Sequence, residues 1–238
     1  MARRTPEGPP PEPVAQRLRV RYAKRGRMRF SSTRDFQRAL ERAVRRAGLP
    51  MAFSAGFHPH PRISYANAAP TGVASEAEYV ELGLTRPVDP AEVAPVLDRA
   101  LPDGLDVVAV TEAHEGALAD RLEASRWSLV FRGADGAGVR SALRAFLAAD
   151  RVEVTRMMKQ GPRVLDVREP VLAAQVDEGP DGPVVTATVR HTTPTVRPEE
   201  LWHALTQVGP QDLPRPLATR LAQGPLGGSG DVGDPLQG

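Results

Sequence analysis

The stretch GFHPHPRISYA, residues 56 to 66, places two histidines, two prolines and an arginine within eleven residues. Histidine moves protons near neutral pH or ligates metals, and arginine grips phosphate or carboxylate oxygens. A residue that precedes proline prefers extended backbone. The segment is therefore expected to run straight, with His58, His60, Arg62 and Ser64 on one side and Ile63 and Tyr65 on the other. The i, i+2 spacing of the histidines could serve zinc, but His114, His191 and His203 lie in other segments and no third ligand is recognisable. No metal is expected. Acid–base work by His58 or His60 would need a partner group that the sequence does not identify. Contact with phosphates or polar bases is the chemistry that remains.

Other chemistry is narrowed by absence. The 238 residues include no cysteine, which excludes disulfides, thiolate zinc sites and cysteine-held iron–sulfur clusters. No Walker loop, GxGxxG, GxSxG or HExxH is present. No apolar run approaches the roughly 18 residues of a membrane span, so a soluble, cytoplasmic protein with no membrane partner is expected.

The elements that must position the loop follow from periodicity. Leu18, Val20 and Tyr22 alternate with Arg17, Arg19 and Arg21, as in a strand with one buried face. Phe36, Ala39, Leu40, Ala43, Val44 and Ala47 form a helical stripe that ends at Gly48 and Pro50. RISYA and EAEYVELGL read as strands, DPAEVAPVLDRAL as a helix started by Asp89 and Pro90, and LDVVAVTEA as a strand. The order over 17–113 is that of a split βαβ, or ferredoxin-like, domain. A second, strand-enriched copy is expected over 126–209, with RVLDVREPVLAAQV as one of its strands. The predicted architecture is α+β: two tandem ferredoxin-like domains with antiparallel sheets covered by helices on one face. Residues 1–16 are expected to be a disordered leader and 210–238 a disordered tail, from their Pro, Gly and Ser content.

The net charge of +2 conceals segregation along the chain. Arg17 to Arg46 holds twelve basic residues against Asp35 and Glu41, whereas Thr71 to Ser125 holds twelve acids against three arginines. Such a division suits an anionic partner, or pairing of the two parts on folding. Arg34, Arg38, Arg42 and Arg45 lie on the helix face opposite the apolar stripe, where a solvated surface or a phosphate-contacting one are both possible readings. Arg19, Arg21, His58, His60 and Arg62 are expected to converge on the sheet face that the helices leave free, unless Glu81 and its neighbours pair with the arginines there. Lys159 and Arg163 flank a turn at Gln160, Gly161 and Pro162 and could extend the basic surface.

The run LERAVRRAGLPMAFSAGFHPHPRISYANAAPTGVASEAEYVEL, beginning at Leu40, resembles the signature region of the bacterial radical-SAM-associated (radical SAM-linked) domain family, here in stand-alone form. The matching positions are Arg45, Arg46, Gly56, Phe57, Pro59, Pro61, Ser75, Glu76 and Tyr79, and the resemblance extends over most of 17–209. KQGPRVLDVRE, from Lys159, is similar to that family's Lys-Gly-containing hairpin, with glutamine and proline departing from it. The resemblance implies a radical-SAM enzyme as partner, and the family's frequent gene neighbours, ribonuclease and ribosomal-protein genes, imply RNA metabolism. Radical-SAM chemistry needs three cysteines on its cluster, so this chain is not itself the radical enzyme and no cofactor is expected. The expected function is that of a non-catalytic RNA- or ribonucleoprotein-binding accessory module contacting its partner through Arg19, Arg21, Arg45, Arg46, His58, His60, Arg62, Glu76, Lys159 and Arg163. The alternatives are a metal-independent endoribonuclease using His58 or His60, and a protein-only adaptor.

Overall fold

The computed structural model describes residues 11–210, 212–228 and 230–237. The chain divides into two compact units. One comprises 11–72, 76–120 and the end of the chain from Leu236, and the other comprises 73–75 and Arg121–Pro235. The change falls between Asp120 and Arg121. The first ten residues of the expected leader lie outside the described residues. Its last residues are engaged: the Ala15 N–H donates to the Leu84 carbonyl, and Gln16 begins the first strand.

The first unit runs β1 (Gln16–Lys24), α1 (Thr33–Arg46), β2 (Ile63–Ala66), β3 (Ala74–Leu84), α2 (Pro90–Ala100) and β4 (Leu105–Glu112). Its strands lie in the order β4-β1-β3-β2, with β4 antiparallel to β1 and β2 antiparallel to β3. Ser32 caps α1 by accepting from the Asp35 N–H at 3.2 Å, and Asp89 caps α2 by accepting from the Ala91 N–H. Gly48, at φ +66°, turns the chain out of α1. The apolar stripe predicted for α1 is buried on Leu18, Val20 and Tyr22 of β1 and Val80 and Leu82 of β3. Tyr22 stacks on Phe36 at 4.4 Å, and Phe36 meets Tyr65 edge-on. Each such large apolar side chain contributes about 1.5–3 kcal/mol of burial.

The second unit runs β5 (Ala124–Val130), α3 (Gly136–Ala148), β6 (Glu153–Met158), β7 (Gly161–Asp166), β8 (Val171–Gly179), β9 (Gly182–Arg190), α4 (Pro198–Val208) and β10 (Leu217–Gly224). Its main strands lie in the order β10-β5-β9-β8, with neighbours antiparallel. Thr219 and Arg220 of β10 also pair in parallel with Ala74 and Ser75, the opening residues of β3, which group with this unit. Trp127, Leu129 and Phe131 pack with Val139, Leu143 and Phe146 of α3 and Leu201 and Leu205 of α4. β6 and β7 form a separate two-stranded ribbon.

Both units are mixed α+β with mostly antiparallel strands. Two expectations are corrected. The segment 210–238 is not a featureless tail: β10 completes a sheet, and Leu236 is buried. The stretch RVLDVREPVLAAQV is not one strand, because the chain turns between Val167 and Pro170 and separates β7 from β8.

Candidate nucleic-acid interface

On the open side of the first unit's sheet, the arginines of β1 do not form an accessible row. Arg19 is fully buried. Its Nε donates to Glu81 Oε2 at 3.2 Å, and its Nη2 donates to the carbonyls of His114 (3.1 Å) and Gly116 (2.6 Å). The loop that follows β4 therefore lies over this arginine. Arg17 grips the other Glu81 oxygen at 3.0 Å, so one carboxylate holds two guanidinium groups. Cross-strand pairing of Glu81 with the arginines is what occurs. Arg21 is half-buried and donates to the Glu76 carbonyl at 2.9 Å. The Glu76 carboxylate takes the Arg25 guanidinium, which Asp106 also binds at 2.9 Å. Arg19, Arg21 and Glu76 thus tie the fold together. Beside them an open cleft of about 590 Å³ is lined by Arg17, Ser64, Glu81, His114 and Leu118.

The proline-rich stretch is a hairpin and not an extended row. Phe53 bridges Pro61, and Ser54 N–H donates to the His60 carbonyl at 2.8 Å while His60 N–H donates to Ser54 Oγ at 3.1 Å. Residues 55–58 bend at the tip. The chain reverses through residues 55–58, where Gly56 takes φ +125°. His58 and His60 are both exposed and occupy different parts of the reversal. Arg62 is exposed, its Nε donates to the Phe53 carbonyl at 3.4 Å, and a Cβ on Gly83 would lie 3.3 Å from that of Arg62. The hairpin carries two exposed rings that the charge pattern did not point to, Phe53 at 42% and Phe57 at 64% exposure.

The outer face of α1 is basic along its length. Arg34, Arg38, Arg42, Arg45 and Arg46 are exposed, and Arg46 also reaches the Ala100 carbonyl at 3.2 Å. Immediately before α1, in the 3-10 turn Gly26–Phe30, the Phe30 ring is 60% exposed with the Arg29 guanidinium 4.7 Å from its centre. Three of the six phenylalanines therefore face solvent, all between residues 30 and 57. Their sequence signal was that none falls on the apolar stripe of a helix.

In the second unit, Lys159 sits in the β6–β7 turn and Arg163 is exposed opposite Arg156. Arg156 is committed to Glu200 (Nε to Oε1, 2.8 Å) and to the Thr195 carbonyl. The same unit holds a pair that sequence reasoning missed. Ser125 Oγ lies 2.8 Å from His191 Nε2, and His191 Nδ1 lies 2.6 Å from the Leu122 carbonyl. A carbonyl can only accept, so Nδ1 carries the hydrogen and Nε2 accepts from the serine. Burial pushes the His191 pKa below its ordinary value, against the Leu122 hydrogen bond, with the nearby Arg220 charge adding to the fall. Ser125 is fully buried, so this pair builds the interior and does not offer a nucleophile to solvent. Among the described residues no cluster of three or more His, Asp or Glu side chains could hold a metal ion, and no helix is long and apolar enough to cross a membrane.

These features define an α+β protein with basic and aromatic surface elements. Residues 17–198 match a family described as an uncharacterized protein conserved in bacteria (DUF2344), and the chain belongs to that family. No curated protein matches it.

Proposed function

We propose that the chain is a non-catalytic RNA- or ribonucleoprotein-binding accessory module, built of two ferredoxin-like domains and acting beside a radical-SAM enzyme. The strand orders β4-β1-β3-β2 and β10-β5-β9-β8 support the domain assignment, the first produced by a βαββαβ sequence and the second by the same sequence with the β6–β7 ribbon inserted after α3. The radical-SAM partner rests on the family resemblance. RNA recognition is carried by one observation: the hairpin from Phe53 to Arg62 puts two phenylalanine rings, two histidines and an arginine in solvent on one short, hydrogen-bonded element. Aromatic rings supply stacking surfaces for unpaired bases, and neighbouring cations hold the phosphates. The binding surface is thus assigned to this hairpin, with Arg45 and Arg46 at the end of α1, in place of the open sheet face.

Fluorescence anisotropy with a labelled single-stranded RNA at low salt tests the reading. Phe57→Ala is expected to weaken binding by about 5- to 100-fold, corresponding to one stacked base. Arg62→Ala is expected to make the log–log salt dependence shallower by roughly 0.7, one phosphate contact. The RNA is expected to remain intact. Shortened products that disappear in His58→Ala or His60→Ala would replace this reading by the endoribonuclease, and absence of binding at low salt would leave the protein-only adaptor.

A further inference from the structure

In sequence, α1 and its basic face lie between two exposed aromatic stations, and the hairpin is only one of them. At the N-terminal end Phe30 presents a ring whose one face carries Arg29. At the other end the chain leaves α1 through Gly48 and enters the hairpin that bears Phe53 and Phe57. Phe53 has the strand parity of Met51, a core residue beneath the helices, so it belongs to the helix side of the layer. Arg34, Arg38, Arg42 and Arg45 recur at intervals of four, four and three residues, which aligns them along one face. That face points away from the buried stripe of Phe36, Leu40, Ala43 and Val44 and is exposed throughout. Asp35 lies beside the stripe but accepts from Ser32 Oγ at 2.7 Å, and Glu41 is half-buried.

We infer that α1 is a track for one single-stranded RNA, its phosphates lying along the arginine stripe and a base stacked at each end, on Phe30 and on the hairpin phenylalanines. This rests on the RNA-binding reading above and adds to it a footprint and a second contact region. The fourteen residues of α1 span about 21 Å at about 1.5 Å per residue. That length corresponds to about six nucleotides at the roughly 3.4 Å per nucleotide of a stacked strand. One further base at each end gives a footprint of about eight. An acidic protein segment would satisfy the arginines but would have no use for exposed rings at both ends of the stripe. A membrane surface would meet this helix through charge alone, because the apolar side of α1 that would insert is in the core.

The test is a length series of oligouridylates of 4, 6, 8, 12 and 16 nucleotides, titrated against the full chain and against Phe30→Ala, Arg38→Ala and Phe57→Ala. Affinity is expected to climb steeply to about eight nucleotides and then to rise only by the statistical factor of extra registers. Phe30→Ala should lose about 5- to 100-fold on the octamer and little on the tetramer, and Arg38→Ala should make the salt slope shallower by roughly 0.7. Melting temperatures of the variants should match that of the parent, since the substituted side chains are in solvent. If the tetramer binds as tightly as the octamer, or Phe30→Ala and Arg38→Ala are silent while Phe57→Ala weakens binding, the track is wrong and the hairpin reading stands. If no oligomer binds at low salt, both fall. Binding to vesicles of acidic lipid with loss in Arg38→Ala, and no binding to RNA, assigns the stripe to a membrane surface and overturns the inference.

Discussion

Replacing Arg19 by alanine separates a structural arginine from a ligand-binding one. The side chain is fully buried, and its Nε and Nη2 hold Glu81 and the carbonyls of His114 and Gly116. Truncation leaves the largely buried Glu81 carboxylate with only Arg17, whose side chain is 52% exposed, and deprives two carbonyls of their donor. Breaking a buried ion pair from one side costs about 3–5 kcal/mol. For a unit of this size each kcal/mol moves the melting temperature by about 4–8 °C, so the first unit should lose at least about 12 °C in differential scanning calorimetry. Arg19→Met combined with Glu81→Leu should recover most of that loss, because it leaves no orphaned charge. A fall of less than about 4 °C in Arg19→Ala, or a specific loss of RNA binding with unchanged melting, would refute the assignment of this arginine to the interior.

Removing residues after Gly224 should lower the melting temperature by several degrees in a thermal scan, since it deletes the buried Leu236 and the Leu226–Val232 bridge. Ending the chain at Pro216 should abolish the cooperative transition of the second unit altogether, because β10 is one of its sheet strands. His191 supplies a pH dependence whose sign follows from its lowered pKa. The folded protein resists a proton that the unfolded chain accepts at about pH 6.5, so this contribution is present above that pH and is lost as pH falls towards the folded value. Melting temperature plotted against pH from 7.5 to 5 should therefore decline less steeply in His191→Gln than in the parent.

What the sequence revealed was governed by where each signal is stored. Alternation at Leu18, Val20 and Tyr22 and the stripe of α1 are local periodicities, and both reappear as the core of the first unit. The caps at Ser32 and Asp89 are equally local. The hairpin was not legible, because the preferences of residues before proline say nothing of the reversal through 55–58, where Gly56 takes a positive φ. Arg19 was placed on the correct side of its strand, but its burial depends on a loop almost a hundred residues later, and no periodicity reports that. β10 was missed for a similar reason. Its glycine- and proline-rich flanks suggested disorder, while its partners in β5 lie some ninety residues upstream. Of the residues expected to meet a partner, His58, His60, Arg62, Arg45, Arg46, Lys159 and Arg163 face solvent, whereas Arg19, Arg21 and Glu76 are engaged within the fold.

The position of β10 also orders events on the ribosome. Every strand of the first unit's sheet precedes residue 113, so that sheet is complete in sequence once Glu112 has emerged. The second sheet is different: β5, β8 and β9 are complete once Arg190 is made, but one edge of β5 has no mate until β10 leaves the exit tunnel. Through that interval β5 offers a row of unpaired amides and carbonyls, the kind of template on which neighbouring nascent chains aggregate. Slow synthesis between Val208 and Gly224 would lengthen the hazard, and a chaperone that shields β5 would shorten its reach. Synonymous changes that alter translation speed over those codons should thus change soluble yield without altering the mature protein.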